Sequence, residues 1–544
     1  MSSPGKKGGL RLQDIDNANY EYSNSEKNST HFLIGLFFLF LIFTSMHTPI
    51  TLAANEEGDT LVVCIAAPII SLDPTDYRDR TTQAVLKNMF DSLTTLDNNM
   101  KVVPQLAESW ENLDDTTWEF TLRRGVKFHN GDPFTARDVR FTLNRVIGDG
   151  ALDGKTSPRK GLLGPLVGVR VVDEYTVQIQ TMKPWAILPL MLTLQEIIPE
   201  KCMKSVGSEA FKQSPVGTGP FRFIREEKEE SLILESFEDY YGGSPENPPV
   251  QTAALKRLIF KSVPENIERV AMLKRGECDM ITSVPPESVP ILEMIPGIHV
   301  AVCPATKSFF GEINCIKPPF NDPRVRHALN YAVDMRTAID LILQGHGKVL
   351  PTVLLPNAFA YDSSQKSYSY NPKVAKDLLA DAGFAEGSLI SIDCAADNRQ
   401  FANIIAMFLT KVGMKPVIGV VKRDRPEVLG ENAPWDIFVT SWGNSTLDPS
   451  GILVPKFQTN GEGNYSKYGN EEVDRLLSLA ESTVESNMRK YFYKMVQEII
   501  FDDAPMIFGY ATEDLYGVRE KVRNFIPSPS GMMKMHDVYL KEGD

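Results

Sequence analysis

The sequence lacks the residue patterns that most enzymes and metal sites leave in a chain. Its six cysteines form no Cys-x-x-Cys pair, its seven histidines include no His-Glu-x-x-His run, and no Gly-x-Ser-x-Gly element occurs. These absences remove support for a zinc ribbon, a thioredoxin-type redox site, a zinc protease and an α/β-hydrolase. We therefore expect no catalysis, no cofactor and no metal, although groups distant in sequence can still meet in space.

Positive charge is also in short supply. The 57 Lys and Arg residues are outnumbered by 70 Asp and Glu residues, and the formal net charge is -13. Because binding to nucleic acid needs a concentrated basic surface, we expect no nucleic-acid partner. The 42% hydrophobic and 23% charged residues are typical of a globular protein, and a length of 544 residues predicts two or three domains.

Long apolar runs are absent except near the start. Residues 32–43 (FLIGLFFLFLIF) are too few to span a bilayer comfortably but are typical of a signal peptide, and small residues at 51–54 offer a cleavage site. Residues 1–31 are polar, and we predict that they are disordered. Since they make an unusually long leader, a retained anchor or a buried helix within 32–54 stays open beside a cleaved signal.

The rest of the chain has an α/β pattern. Residues 60–67 (TLVVCIAA) predict a strand covered on both faces, and Thr135 predicts the N-cap of a helix over 136–146. Apolar spacing predicts one long helix over 323–344, and Gly383 marks the end of another. Strands and helices mix without a fixed period, which disfavours solenoids and propellers.

Two glycine-rich segments are similar to nucleotide-binding motifs but do not complete them. Residues 148–156 (GDGALDGKT) place Asp149 where a phosphate loop needs its first glycine, and an anionic side chain there would repel phosphate. Residues 217–220 (GTGP) lack the third glycine and the following helix of a dinucleotide fingerprint. We interpret both segments as loops.

A set of motifs runs through the chain in a fixed order. They are VPQLAESW at 103–110, WEFTLRRGVKFHNG at 118–131, PFTARDV at 133–139, GTGPF at 217–221, KPPFNDPRVR at 317–326, ALNYAVD at 328–334, AKDLLADAGF at 375–384, WGNSTLDP at 442–449 and DDAP at 502–505. This set resembles the bacterial extracellular solute-binding proteins of family 5 over about residues 60 to 544. The resemblance implies a two-lobed α/β fold of the periplasmic-binding-protein type (type II) with a hinged cleft. It places lobe one at 59–312 and 508–544, and lobe two at 313–507.

The resemblance also implies a role. Proteins of this group capture peptides or similar medium-sized polar solutes in the interlobe cleft and deliver them to a membrane permease driven by ATPase subunits. The chain is then expected to be a monomeric subunit of an ABC importer, periplasmic or at the cell surface, exported by its N-terminal signal. A membrane-tethered sensor or chaperone-like module with the same cleft stays open as an alternative.

Candidate ligand-binding residues follow from the same resemblance. They are Asp73, Asp76, Arg80, Arg423, Trp442, Asn444, Ser445 and Asp448. Trp442 is favoured because ligands of α/β folds sit beyond strand ends. Ser445 stands where peptide-binding relatives place an aspartate that holds the peptide ammonium, so dipeptide specificity is not implied. A structural role stays open for the others: Asp448 can cap a helix, and Arg423 can lie in a solvated turn.

Dipeptide-binding relatives also carry a disulfide between the first strand and a run similar to RGEC at 275–278. The resemblance therefore implies a bridge between Cys64 and Cys278, with two buried free thiols as the alternative. Spacing alone does not pair the other four cysteines. They are Cys202, Cys303, Cys315 and Cys394.

Overall fold

A computed structural model describes four stretches of the chain. They are residues 59–227, 230–243, 253–421 and 433–541. The apolar run at 32–43 lies outside the described residues, as does the N-terminal segment predicted to be disordered. Within the four stretches, no helix combines the length and the apolar character needed to cross a membrane.

The described residues form nineteen strands and fourteen α-helices. The strands are β1 (Thr60–Ile65), β2 (Thr94–Leu96), β3 (Val102–Pro104), β4 (Ala107–Asp114), β5 (Thr117–Leu122), β6 (Leu166–Asp173), β7 (Thr176–Thr181), β8 (Phe221–Glu227), β9 (Ser231–Ser236), β10 (Arg257–Ser262), β11 (Met280–Ile281), β12 (Ile298–Ile313), β13 (Gly347–Val349), β14 (Leu389–Cys394), β15 (Lys415–Val420), β16 (Ile437–Gly443), β17 (Met506–Arg519), β18 (Val522–Arg523) and β19 (Tyr539–Leu540). The helices are α1 (Arg80–Leu86), α2 (Ala136–Ile147), α3 (Leu188–Met191), α4 (Glu200–Val206), α5 (Ser208–Gln213), α6 (Asn266–Arg275), α7 (Val289–Glu293), α8 (Pro323–Ala332), α9 (Met335–Leu343), α10 (Pro372–Asp381), α11 (Arg399–Lys411), α12 (Ser450–Phe457), α13 (Glu471–Ser482) and α14 (Ser486–Asp503).

One large mixed sheet runs through the molecule. Its strand order is β15-β14-β16-β12-β17-β11-β1-β10-β9-β8, with β13 paired to β17. Strand β1 is parallel to both of its neighbours, β10 and β11, and most of its side chains are buried. Parallel strands need cover on both faces, so the prediction for residues 60–67 is confirmed.

Strands β12 and β17 join the two halves of this sheet. They are antiparallel, and their register breaks between Pro304 and Ser308. Before the break β17 also pairs with β11, and after it β12 also pairs with β16. Because bulges bend strands, the chain can cross from one lobe to the other at this break. The break lies a few residues from the expected lobe bounds at 312 and 508, and these bounds stay predictions. We use lobe one for the β1 half of the sheet and lobe two for the β14 half.

Each half of the sheet has its own hydrophobic core. In lobe one, Leu61 and Phe90 pack with Met535 from the end of the chain. In lobe two, Leu329 packs with Ile437. A third core covers a separate four-stranded antiparallel sheet, of order β4-β5-β7-β6, which we count with lobe one because its residues fall within the predicted bounds of that lobe. Two separate cores allow the halves to move as units.

The helix predictions had mixed outcomes. Thr135 caps α2 in a capping box with Asp138, as predicted. The single helix predicted over 323–344 is wrong, because α8 ends at Ala332 and α9 begins at Met335. Asp334 takes extended backbone between them and accepts a hydrogen bond from the backbone N–H of Arg336, which starts a new helix.

Candidate ligand-binding cleft

A cavity of about 670 Å³ lies between the two lobes. Lobe one lines it with residues 78–83, 159–164 and 185–194, and lobe two lines it with 442–446 and 450–462. Small-molecule sites in proteins have volumes of about 300–1,000 Å³. The cavity is therefore large enough for a solute of several residues that touches both lobes.

Arginines dominate the charge on the lobe-one wall. Arg80 contacts Asp514 at 3.1 Å and donates to the backbone oxygen of Ser530. Buried Arg159 packs over the ring of Tyr77 with its guanidinium carbon 4.5 Å from the ring centre. Arg78 is exposed and has no ion pair or hydrogen bond within the described part of the chain. Its guanidinium is therefore available to an anionic ligand group.

The lobe-two wall is built around Trp442 at the end of β16. The indole N–H donates to the backbone oxygen of Gly451 at 2.7 Å, which fixes the ring. Behind the ring, the ammonium of Lys456 lies 4.6 Å from the ring centre and 2.6 Å from a carboxylate oxygen of Glu312. Burial raises the pKa of Glu312 and lowers that of Lys456, because both charges are removed from water. The wall is therefore rigid.

Carboxylates supply the exposed charge of the lobe-two wall. Glu462 is exposed and unpaired among the described residues. Glu481 lies 3.5 Å from Lys183 of lobe one, and its backbone oxygen accepts from the N–H of Ala186. These contacts join the lobes at one end of the cleft. On lobe one, Asp79 also has a buried carboxylate oxygen without a partner in the described residues, in the lining of the cavity.

A smaller cavity of about 60 Å³ adjoins the cleft. The two linings share Gln83 and Leu194 from lobe one and Ser445 from lobe two. The polar side chains of the smaller cavity include two lysines, Lys87 and Lys534. The cleft therefore has a side pocket whose lining surface is mostly apolar and into which two lysines are placed.

Four of the predicted site residues line the large cavity. They are Arg80, Trp442, Asn444 and Ser445. The Asn444 side chain is committed to the loop, since its Nδ2 donates to the backbone oxygen of Asp448 at 2.7 Å. The side chains of Trp442 and Ser445 are left to face a ligand.

Three predicted residues have structural roles, and one lies outside the described residues. Asp73 is fully buried and pairs with Arg145 at 3.0 Å, away from the cleft. Asp76 lies 2.6 Å from Lys212, which holds it within lobe one. Asp448 binds Arg489 and lines a neighbouring cavity. Each of these carboxylates already has a cation, and its predicted contact with a ligand stays a prediction. Arg423 is not among the described residues.

Several lining residues were missed by the sequence reasoning. They are Arg78, Asp79, Arg159, Trp185, Glu462, Glu481 and Lys534. Most are charged residues in loops or at chain segments remote from the motifs, and similar residues occur throughout the surface. Gly164 carried a weak signal: its φ is +46°, and an added Cβ would lie 3.1 Å from the Trp185 ring. A glycine packed on an aromatic ring indicates a close approach, but not a site.

Cys64 and Cys278 lie together in one buried cluster of lobe one. Both are free thiols in this structure. Hydrogen bonding between them lowers the pKa of Cys64 and raises that of Cys278, where burial adds to the effect. The two sulfurs are thus neighbours, and the disulfide between them stays a prediction.

Comparison with known proteins gives a consistent result. The family model described as "Bacterial extracellular solute-binding proteins, family 5 Middle" matches residues 101–464. The glutathione-binding protein GsiB of Pectobacterium atrosepticum is 28% identical over 499 residues, covering 88% of this chain and 94% of that protein. GsiB of Salmonella choleraesuis is 29% identical over 469 residues, covering 82% of this chain and 88% of that protein.

Solved structures show the same architecture. HbpA2 from Haemophilus parasuis is 26% identical with a TM-score of 0.81, covering 89% of this chain and all of that one. DppA from Helicobacter pylori, in complex with the peptide STSA, is 25% identical with a TM-score of 0.72, covering 89% of this chain and 98% of that one. These matches confirm the two-lobed type II fold. The family model also matches more than half of this chain. The chain therefore belongs to the bacterial extracellular solute-binding proteins of family 5.

Proposed function

We propose that the chain is the solute-binding subunit of an ABC importer and that its cleft captures a short peptide with free ends. The observation that carries this proposal is the separation of charge across the cleft. Arg78 lies on lobe one, whereas Glu462 and Glu481 lie on lobe two. A peptide presents a carboxylate and an ammonium, which pair with a guanidinium and a carboxylate respectively. The names of relatives that bind glutathione or peptide agree with this.

Ser445 explains why lobe two needs these glutamates. A serine hydroxyl does not carry the charge that compensates a desolvated ammonium. The ammonium is therefore expected to bind at Glu462, because Glu481 already lies 3.5 Å from Lys183, and not at the position where the resemblance places an aspartate. Trp442 supplies an apolar face between the charged ends, on which a peptide side chain packs.

Closure follows from ligand contacts with both lobes. Strands β12 and β17 connect the lobes, and a ligand that touches both walls stabilises the closed form over the open one. The closed, loaded protein is then the form that the membrane permease and its ATPase subunits recognise. We further propose that the protein acts as an exported monomer and releases its ligand chemically unchanged.

Calorimetric titration of the purified protein tests the proposal. Glutathione, dipeptides and tripeptides are compared with the same peptides capped by N-acetyl or C-terminal amide groups. Free peptides are expected to bind at least about tenfold more tightly than capped ones, which corresponds to about 1.4 kcal/mol. Loss of binding to all peptides, or equal affinity for capped and free forms, would reject the proposal.

Two variants assign the ends of the peptide. Arg78→Gln should remove the preference for a free carboxylate, and Glu462→Gln the preference for a free amine. The matched controls Arg137→Gln and Glu498→Gln change exposed residues outside the cleft and should leave affinity unchanged. Mass spectrometry of the recovered ligand checks that no bond has been altered.

Export is tested separately from binding. N-terminal sequencing of the protein recovered from cells should find a start after residues 51–54 if the apolar run is a cleaved signal. A retained run would instead favour the tethered sensor.

A further inference from the structure

We infer that the small cavity beside the cleft is a subsite for a carboxylate carried by a side chain of the ligand, so that acidic peptides are preferred. This inference rests on the proposed function and names the class of peptide. The cavity holds about 60 Å³ and shares Gln83, Leu194 and Ser445 with the cleft. One water needs about 10–15 Å³ measured in the same way, so a carboxylate group fits.

Lys534 is the group that would bind this carboxylate. Its ammonium lines the cavity and donates to the backbone oxygen of Leu96. Among the described residues no carboxylate lies within 4 Å of it, and an ammonium has three donors. Burial lowers its pKa to about 8, with Lys87 as the strongest charge contribution in the same direction. A half-buried cation without a counter-ion gains most from an anionic ligand group.

Lys87 adds positive potential without competing for the ligand. Its ammonium donates to Ser92 Oγ and to the backbone oxygen of Thr193, both at 2.6 Å, and lies 3.2 Å from Glu196. Glu196 is fully buried and also faces Arg159 at 3.8 Å. One carboxylate is thus shared by two cations, which leaves this side of the cavity positive.

Asp91 is the carboxylate in the cavity lining, but its oxygens are already used. One accepts from Gln105 Nε2 at 2.6 Å and the other from Thr218 Oγ1 at 3.1 Å. Burial raises the pKa of Asp91 to about 6, so its charge is reduced in mildly acidic solution. At neutral and higher pH Asp91 is ionised, but its charge acts on Lys87, whereas the charges that act on Lys534 are those of Lys87, Asp97 and Asp537.

Other charged groups face Lys534 from a greater distance. The charges of Asp97 and Asp537 raise the pKa of Lys534. His536 lies 3.4 Å from the carboxylate of Asp537. Burial lowers the pKa of His536, so this ring is neutral above pH 7. Among the described residues that line the small cavity, Lys534 is therefore the group whose proton we expect to move near pH 8.

Ser445 completes the subsite from lobe two. Its side chain is neutral and lies in both cavity linings, so a carboxylate can enter beside it without repulsion. An aspartate at this position would put a negative charge at the entrance. The same serine that weakens binding of an ammonium therefore favours an anion.

Calorimetry with paired tripeptides tests the subsite. Glu is compared with Gln at each of the three positions. The protein is expected to bind one Glu peptide at least about tenfold more tightly than its Gln partner. Lys534→Met should abolish this preference and leave affinity for the Gln peptide within about twofold. Ser445→Asp should also abolish it, whereas Lys274→Met, on the exposed surface of α6, should not.

Proton uptake gives a second measurement. At pH 8.5 Lys534 is largely neutral, and a bound carboxylate raises its pKa, so binding of the Glu peptide should take up protons. Titrations in buffers with different heats of ionisation should show this uptake for the unmodified protein only. Proton uptake by the free α-amino group is common to both peptides, so the measure is the uptake of the Glu peptide in excess of that of the Gln peptide. Lys534→Met should show no such excess, while Lys534→Arg, which keeps the charge, should retain the preference.

Four outcomes would overturn the inference. Equal affinity for Glu and Gln peptides would reject the subsite and leave the proposed function intact, whereas failure to bind any peptide would reject both. Equal weakening of both peptides by Lys534→Met would assign Lys534 a structural role. Sodium acetate that raises affinity for the Gln peptide to the level of the Glu peptide would assign the cavity to a free anion.

Discussion

Two segments of nearly the same sequence, Leu72–Thr75 (LDPT) in lobe one and Leu447–Ser450 (LDPS) in lobe two, form the same local structure. In each, the aspartate accepts from the backbone N–H and the hydroxyl of the residue two positions later. In each, the carboxylate also pairs with an arginine from a distant helix, Arg145 of α2 at 3.0 Å or Arg489 of α14 at 3.1 Å.

The surroundings of the two segments differ. Arg145 is bonded entirely into lobe one, where it also donates to Thr75 and Ser208. Arg489 and Asp448 instead line a second interlobe cavity of about 670 Å³, which includes Met100 of lobe one. In both lobes the Leu-Asp-Pro-Thr/Ser motif therefore forms a turn. The position of that turn in the fold determines how far it lies from the ligand-binding cleft.

Removing either aspartate should have the largest effect. Asp73→Ala and Asp448→Ala each leave a buried arginine without its partner, so each should lower the free energy of unfolding by about 3–5 kcal/mol. Urea denaturation measures both, with exposed Asp115→Ala as the control within about 0.5 kcal/mol. If one substitution cost less than about 1 kcal/mol, the two segments would not be equivalent.

Acid should act on lobe one through His129. Its ring accepts from the N–H of Gly217 and contacts the oxygen of Gly219, and burial lowers its pKa to about 4. Its contribution to stability is complete above pH 6.5 and is lost as the pH falls from 6.5 towards 4, because the unfolded state takes up the proton first.

The pH effect has a defined size and control. Each pKa unit corresponds to about 1.4 kcal/mol, so the loss amounts to at most about 3.5 kcal/mol. Denaturation at several pH values should show this slope, and His129→Gln should flatten it. The exposed His299→Gln variant should keep the slope. An unchanged slope in His129→Gln would assign the acid sensitivity elsewhere.

Ligand affinity should distinguish the two aspartates. Asp448 pairs with Arg489 in the lining of the interlobe cavity, and the neutral side chain of Asn would hold this guanidinium less tightly. Asp448→Asn should therefore raise the dissociation constant of a bound peptide about tenfold, and Asp73→Asn less than twofold. Calorimetry is done at a temperature where both variants are folded. Equal effects would show that stability alone controls binding.

The hydroxyl groups should give the smallest effect. Thr75→Val and Ser450→Ala each remove a buried hydrogen bond to the neighbouring aspartate, at a cost of about 1 kcal/mol. Thr75→Val should cost slightly more, because its hydroxyl also accepts from Arg145. Thermal and urea denaturation check the order, and a larger loss for Ser450→Ala would contradict it.

Local patterns predicted the fold well. The strand at β1 and the cap at Thr135 depend on neighbouring residues, so the sequence carries them directly. The break between α8 and α9 was missed, because apolar spacing continues across it. The signal was Asp334, a residue type that caps helices as often as it sits within a polar face.

The site was only partly predictable. Trp442, Asn444 and Ser445 were named from the family resemblance, and Trp442 was also favoured by its place at the end of a strand, which is a local property. Asp73 pairs across 72 positions with Arg145, and Lys534 bonds Leu96 across 438 positions. No local pattern distinguishes a charged side chain with a distant partner from one that is free to bind a ligand. The roles of Asp73 and Lys534 therefore depend on tertiary contacts that the sequence alone does not show.

The core of lobe one joins residues that are synthesised early with residues that are synthesised late. It packs Leu61 and Phe90 against Tyr516, Met533 and Met535, and β17 must enter the middle of the sheet before β11 has both neighbours. Until these late residues have been synthesised, Leu61 and Phe90 lack these packing partners. Such long-range contacts slow folding. The core of lobe one is thereby completed only after the C-terminal residues have been made, whereas the four-stranded sheet β4-β5-β7-β6 and its core need none of them.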